Sequence, residues 1–380
     1  MEPKEAARAT IAAHADALVA LSHRIHAHPE LCFEETRSSG WAAGALSDGG
    51  IAVETGVGGL DTAFVARAGS GPLHIAICAE YDALPGIGHA CGHNIIAATA
   101  VGAGLALAPL ADDLGLTISV VGTPAEEGGG GKIYLLERGV FDGIHAAMMV
   151  HPAPVDVLRP RVSAVAHFTV RYTGRESHAA AAPHLGVNAA DAFVVAQAAI
   201  GLLRQHLRPT DQVHGIVTHG GDAANIVPAH TEGDWMVRAT TIDELGQVLP
   251  RIEQCFHAGA LATGATLELE DVCPAYSHME HDHDLVEAYR ANVDGTGRSY
   301  NGDEMTFSTD MGNVSLAMPS IHPTIAIESA GAMNHQPEFA AACINGSADR
   351  AVSEGALALA LTAIDAASGS LRQRLLARSA

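Results

Sequence analysis

Positive charge is scarce in this chain: 21 Lys and Arg stand against 43 Asp and Glu in 380 residues, a formal net charge of −22 with histidine neutral. Phosphate-bearing partners need basic counter-surfaces, so this deficit argues against nucleic acid and anionic membrane surfaces as partners. Long apolar runs are missing too. No stretch approaches the roughly 18 to 20 uninterrupted apolar residues of a membrane span. The N-terminus opens Met1-Glu2-Pro3-Lys4-Glu5 with no apolar signal core behind it. Cysteine is sparse and unpatterned; the six (32, 78, 91, 255, 273, 343) show no framework spacing, which predicts reduced thiols. Together these absences predict a cytoplasmic protein without membrane or nucleic-acid partners.

Apolar residues make up 48% and charged residues 17%, which fits an enzyme-sized globular chain and excludes disorder. The length suits two to three domains, or one large domain with an insertion. Histidine is over-represented: its 22 copies exceed all Lys and Arg together. As the commonest metal ligand and the usual acid or base near neutral pH, histidine has to be placed residue by residue.

An N-terminal amphipathic stretch carries Leu18, Leu21 and Ile25 at helical spacing and stops near Pro29. Three apolar runs follow, Leu73–Ala79, Leu116–Gly122 and Ala146–Val150, separated by helical segments at about 94–110 and 132–138. Strands alternating with helices predict βαβ units and a mostly parallel sheet flanked by helices. The middle of the chain reads as strand 167–172, a helix with Phe193, Ala196, Ile200, Leu203 and Leu207 on one face, strands 213–218 and 235–240, a helix capped by Asp243, and strand 266–269. That β-α-β-β-α-β order is ferredoxin-like. The tail returns to α/β character, with run 324–327 and a helix near 350–366. The prediction is an α/β catalytic domain, residues 1–161 and 274–380, interrupted by a smaller ferredoxin-like domain at 162–273.

Polar strings follow each of the three N-terminal runs. After the first come Glu80-Tyr81-Asp82-Ala83-Leu84-Pro85 and His89-Ala90-Cys91-Gly92-His93-Asn94; after the second, Thr123-Pro124-Ala125-Glu126-Glu127 and four glycines; after the third, His151-Pro152. Ligands of open parallel sheets bind beyond the carboxyl ends of the strands, so these loops should converge. Cys91, His93, Glu126, Glu127 and His151 then form a plausible N, S and O shell for one or two zinc-type divalent ions. Taken singly, each has a structural reading: Cys91 as an inert thiol, the paired acids as a solvated loop, His151 as a strand cap. Cys91 at a helix start, where amide dipoles favour thiolate, tilts towards ligand. Three successive strand ends carrying such strings are hard to explain structurally. Cys78, inside an apolar run, reads as core. His14, His23, His206, His257, His281 and His283 read as solvated; His184 and His219 stay unassigned.

These strings resemble the dinuclear amidohydrolase branch of the aminoacylase/carboxypeptidase metallopeptidases, which includes hippurate, auxin-conjugate and aminobenzoyl-glutamate hydrolases. The similarity runs nearly end to end. It includes Arg24-Ile25-His26-Ala27-His28-Pro29-Glu30 with Glu34, Gly174-Arg175-Glu176-Ser177-His178-Ala179-Ala180, Asn225-Ile226-Val227-Pro228 with Arg238, Ser308-Thr309-Asp310-Met311-Gly312, and Asn334-His335. The resemblance implies Cys91, His93, Glu127, His151 and His335 as metal ligands, with Cys91 bridging two divalent ions, Zn²⁺ or Mn²⁺. It implies Glu126 as general base, His178 as a residue reaching into a partner subunit's site, and Asn225 and Arg238 as holders of a substrate carboxylate. A homodimer through the inserted domain follows from the same resemblance. Two ions would make hydroxide available near neutral pH, with Glu126 carrying its proton to the leaving amine. Asn94 replaces the commoner Asp, and Glu80-Tyr81 the commoner Asp-Met; both variants resemble the aminobenzoyl-glutamate hydrolase and dipeptidase side.

The leading expectation is an amidohydrolase acting on an N-acyl amino acid, an aminobenzoyl-glutamate-like conjugate or a small dipeptide. A carboxypeptidase acting on longer peptides is the second reading. A non-catalytic metal- or partner-binding relative is the third; its signature would be loss of the free Glu, and Glu126 is present.

Overall fold

The three apolar runs become neighbouring strands in the middle of one sheet in the computed structural model, which describes residues 1–294, 298, 300 and 305–377. Leu73–Ala79 lies between Leu116–Gly122 and Ala146–Met148 and runs parallel to both, with Ala79 opposite Gly122 and Ile77 opposite Met148. Their carboxyl ends are therefore nearly level, and the polar strings leave the sheet on one edge. Ser320–Ile321 adds a further parallel strand beside Ala146–Met148. Ala52–Thr55 and Phe64–Ala68 extend the other edge antiparallel, completing six strands. These two strands, and the helix Thr36–Asp48, carry no strong periodicity and escape a sequence reading.

Helix His93–Leu107 is buried at every position except the half-buried Leu105. It packs against Pro3–His26 and Gly346–Ala366. Such a helix is apolar all round because it sits in a core. The window His93–Leu110 is long and apolar enough to span a membrane, but 78% of it is buried within the protein. Gly102 lets the helices approach: a Cβ there would lie 2.7 Å from Leu18 Cδ1 and 2.9 Å from Ala356 Cβ. Cys78 is core, as expected, and none of the six cysteines is disulfide-bonded.

The chain divides into two compact units, Met1–Arg161 with Met279–Ala380, and Val162–His278. The second unit continues past the expected 273 because Val165 and Tyr276 exchange backbone hydrogen bonds and Ile242 N donates to His278 Nδ1. Its sheet is antiparallel, in the order Thr266–Asp271, Ala164–Thr173, His230–Ala239, Gln212–His219. Helices Ala189–Leu203 and Ile242–Thr263 pack on it, giving the β-α-β-β-α-β order. The cap of the second helix differs from expectation. Thr241, not Asp243, is the N-cap and accepts from Glu244 N, while Asp243 sits in the first turn, where its charge suits the helix dipole.

Candidate metal centre

The level strand ends bring Glu80 and Asp82, Glu126 and Glu127, and His151 to one place. Cys91 and His93 enter from the start of helix His93–Leu107, and His335 from the turn before helix Pro337–Ala342, its N–H donating to Ala90 O at 2.9 Å. Cys91 Sγ lies 3.4 Å from His151 Nε2, and His335 Nε2 lies 3.5 Å from Glu127 Oε1. His93 Nε2 is 3.5 Å from Glu80 Oε2, 3.8 Å from Glu126 Oε2 and 3.9 Å from Glu127 Oε1. Three triads have donor atoms all within 4.8 Å of one another: Cys91–His93–His151, Cys91–Glu127–His335, and Glu80–His93–Glu126. Cys91 belongs to the first two. The six predicted residues of this unit are thus brought together, with Glu80 among them.

The chemistry of this donor set fits divalent cations. His93 Nδ1 donates to Asp82 Oδ1 at 2.9 Å, and His151 Nδ1 donates to Pro152 O at 2.8 Å. Each bond leaves Nε2 with a free lone pair facing the cluster, the arrangement of a metal-ligating imidazole. His93 Nε2 and Glu80 Oε2 are buried without hydrogen-bond partners among the described residues. Buried polar atoms of this kind call for a partner, and a cation supplies one.

Neighbouring groups divide the electrostatics. Burial, then the charges of Glu80 and Glu127, push the Glu126 carboxyl well above its ordinary range. Burial acts on Glu127 in the same sense, but the hydrogen bond from His335 and the charge of His93 outweigh it and hold Glu127 low. Burial takes His151 down to about 4, keeping its imidazole neutral. The Cys91 thiol departs from the helix-dipole expectation: burial, and then the charge of Glu127, push it up. Its thiolate therefore depends on a cation rather than on the helix start.

Several residues escaped the sequence reading. Lys132 is fully buried and bridges Glu80 Oε1 at 2.5 Å and Asp310 Oδ1 at 2.6 Å, which accounts for Glu in place of Asp at position 80. The OH of Tyr81 donates to Thr62 O. Asn94 donates to Ser22 Oγ and Cys343 O, bonds that an ionised Asp could not make. His322 stacks on His151 with centroids 5.5 Å apart. The only prior signal for these residues was their place in or near the polar strings. Two histidines expected in solvent are engaged, His23 with Asp349 at 2.7 Å and His281 Nε2 with Pro160 O at 2.9 Å.

The remaining predicted residues belong to the inserted domain. His178 is exposed, and its Nδ1 accepts from Ala180 N and Ala181 N. The exposed Asn225 lies beside this turn, its carbonyl accepting from Ala179 N at 3.0 Å. Arg238, half-buried on strand His230–Ala239, donates from Nε to His214 Nε2 at 3.3 Å.

A parallel sheet with nitrogen, sulfur and carboxylate donors at its strand ends, interrupted by an antiparallel domain, defines a metal-dependent hydrolase class. Residues 76–352 match peptidase family M20/M25/M40, and the chain belongs to that family. It is 38% identical over 370 residues to the Xaa-Arg dipeptidase of Mus musculus, covering 92% of this chain and 86% of that one. It is 33% identical over 279 residues to a p-aminobenzoyl-glutamate hydrolase of Escherichia coli (strain K12), covering 67% of this chain and 58% of that one. Its fold is similar to that of an aminobenzoyl-glutamate utilization protein from Klebsiella pneumoniae, with TM-score 0.73 at 20% identity over 92% of this chain and 96% of the other. A dinuclear metal-binding peptidase of the M20 family from Bacillus subtilis gives TM-score 0.70 at 20% identity, covering 93% and 98%. The chain is a metal-dependent amidohydrolase or peptidase using divalent metal.

Proposed function

We propose that the chain cleaves the amide bond of a small dipeptide or N-acyl amino acid carrying a free carboxylate, and that a dipeptide ending in a basic residue is its preferred substrate. The observation that carries the reaction is the contrast between adjacent carboxylates: Glu127 shares a triad with Cys91 and His335, while Glu126 stands beside His93 outside it. Cys91, His93, Glu127, His151 and His335 would hold two divalent ions, Zn²⁺ or Mn²⁺. When bound, these ions supply hydroxide near neutral pH and polarise the amide carbonyl. Glu126, raised towards neutral pH by its surroundings, suits a general base that takes the attacking water's proton and returns it to the leaving amine. Arg238 and Asn225 would bind the substrate carboxylate, and His178 the developing oxyanion. The name of the Mus musculus relative supports the dipeptide choice, as do Glu80-Tyr81 and Asn94.

A homodimer completes the reading. Strand Gln212–His219 is a sheet edge and exposes Ile216 and Val217, and helix Ala189–Leu203 exposes Val194 and Leu202. Apolar side chains on an unpaired edge suit pairing with a second copy. We place the protein in the cytoplasm.

The test is a metal-stripped sample reloaded separately with Zn²⁺ and Mn²⁺, then offered Xaa-Arg dipeptides, N-acyl amino acids, aminobenzoyl-glutamate and longer peptides. The expected result is metal-restored cleavage, fastest on the dipeptides. Equal rates on longer peptides would favour a carboxypeptidase. No activity with either metal would leave a binding protein.

A further inference from the structure

Four residues other than glycine adopt positive φ among the described residues: Phe33, Ala125, Ala330 and His335. A β-carbon makes this region unfavourable, so such residues persist only where their surroundings hold them. Ala125, at φ 60° and fully buried, immediately precedes Glu126. Phe33, at φ 62°, lies far away in sequence, yet both residues are tied to the same group. Glu35 Oε1 accepts from Ala125 N at 2.8 Å and from Phe33 N at 3.0 Å, while Oε2 accepts from Thr62 Oγ1 at 2.9 Å. The Glu35 side chain is completely buried. It stands at the start of helix Thr36–Asp48 without capping it. Glu30 fills that role by accepting from Arg37 N and Ser38 N, which leaves Glu35 to point inward.

We propose that Glu35 is a positioning residue that fixes the Glu126–Glu127 turn by holding Ala125 in its strained conformation. The proposal rests on the amidohydrolase reading of those two carboxylates. The turn is pinned on its far side as well: Glu127 N donates to Asp82 Oδ2 at 2.8 Å, and Ala125 O accepts from Gly129 N and Gly130 N. With Asp82 bonded to both His93 and the Glu127 backbone, the amide of Ala125 is the remaining point from which the turn could swing. Release of that amide would let Ala125 relax towards negative φ and rotate both carboxylates away from the cluster. Glu35 touches no donor atom of the cluster triads, so its effect passes through the backbone.

The experiment compares the full chain with E35A, E35Q and A125G, and with E35A in the A125G background. The readouts are kcat and KM on the best dipeptide, Mn²⁺ affinity by titration calorimetry, and circular dichroism and Tm as checks on folding. E35A should lose at least about tenfold in kcat with a smaller change in KM, because small misplacements of reacting groups are costly, and should bind Mn²⁺ more weakly. E35Q keeps an oxygen for both amides and should restore both quantities to near wild type. Glycine adopts positive φ freely, so E35A should lose less in the A125G background. A folded E35A with wild-type kcat and Mn²⁺ affinity would overturn the proposal, as would failure of Gln to rescue or an equal loss in the A125G background. If E35A does not fold, E35D replaces it: the shorter acid keeps its charge, cannot reach both amides, and should show the same losses. A wild-type chain inactive on every amide would overturn the amidohydrolase reading instead, and Mn²⁺ affinity would still report on Glu35.

Discussion

Glu126 and Glu127 carry the same side chain, yet their surroundings push them in opposite directions, one towards holding a proton and the other towards holding charge. Substituting Glu126 with Gln should therefore abolish turnover while bound metal, measured by mass spectrometry, stays near wild type. Loss of metal in that variant would mean that the roles are exchanged. Cys91→Ala should lose metal and activity together, since both Cys91 triads depend on its sulfur. Glu35 adds a pH signature. Burial, and then the charge of Asp82, raise its carboxyl from 4.5 to about 7. Between those values the folded chain keeps a proton that the unfolded chain has released, so stability falls as pH rises through the window. In E35Q the urea midpoint should lose that part of its decline between about pH 4.5 and 7; an unchanged slope would mean that Glu35 ionises normally. At this scale the sequence displayed the donors but not their partners. Cys91, His93, Glu126, Glu127 and His151 stand in polar strings behind apolar runs, and those strings can be read directly. The roles of Glu35, Lys132 and Asp310 rest on bonds between segments distant in the chain, which periodicity does not report.

Helix Gly131–Glu137, the end of strand Leu73–Ala79 and the start of helix Met311–Ala317 are joined by one buried cation. Lys132 carries a single charge between Glu80 and Asp310, and all three side chains are fully buried. Removing one member of a buried charged group strands the others. Lys132→Met should destabilise the chain by about 3 to 5 kcal/mol in denaturant titration. A change below about 1 kcal/mol would show that water or a bound cation already compensates the two acids. Strand His230–Ala239 makes a different contribution by presenting Arg238. Arg238→Ala should reduce kcat/KM for free-acid substrates by about 1.5 to 3 kcal/mol of binding and leave the matching amides unaffected. Equal losses on both would make the arginine structural. Strands and helices were legible where an apolar stripe faced a core. The antiparallel pair Ala52–Thr55 and Phe64–Ala68 was not, because its outer strand is short and largely exposed.

For the whole molecule, the order of elements was legible because each unit has its own apolar core and its own strand–helix rhythm. Subunit arrangement was not, since periodicity describes one chain. The net charge of −22 adds repulsion between copies, so a dimer would have to rely on local apolar contacts such as the Gln212–His219 edge. If His178 serves the partner's site, a single chain lacks one oxyanion donor. His178→Ala should then lower turnover by roughly a hundredfold or more with little change in KM. Mixing His178→Ala with Glu126→Gln, each inactive alone, separates the two arrangements. In a mixed dimer with a shared site, the chain that keeps Glu126 receives His178 from its partner, so one of the two sites is intact. With random exchange, about a quarter of wild-type activity per chain should return. In a site built within one chain, neither half of the mixed dimer is complete. A mixture that stays inactive after mass measurements have shown exchange would remove His178 from the shared site and leave the dimer a purely structural assembly.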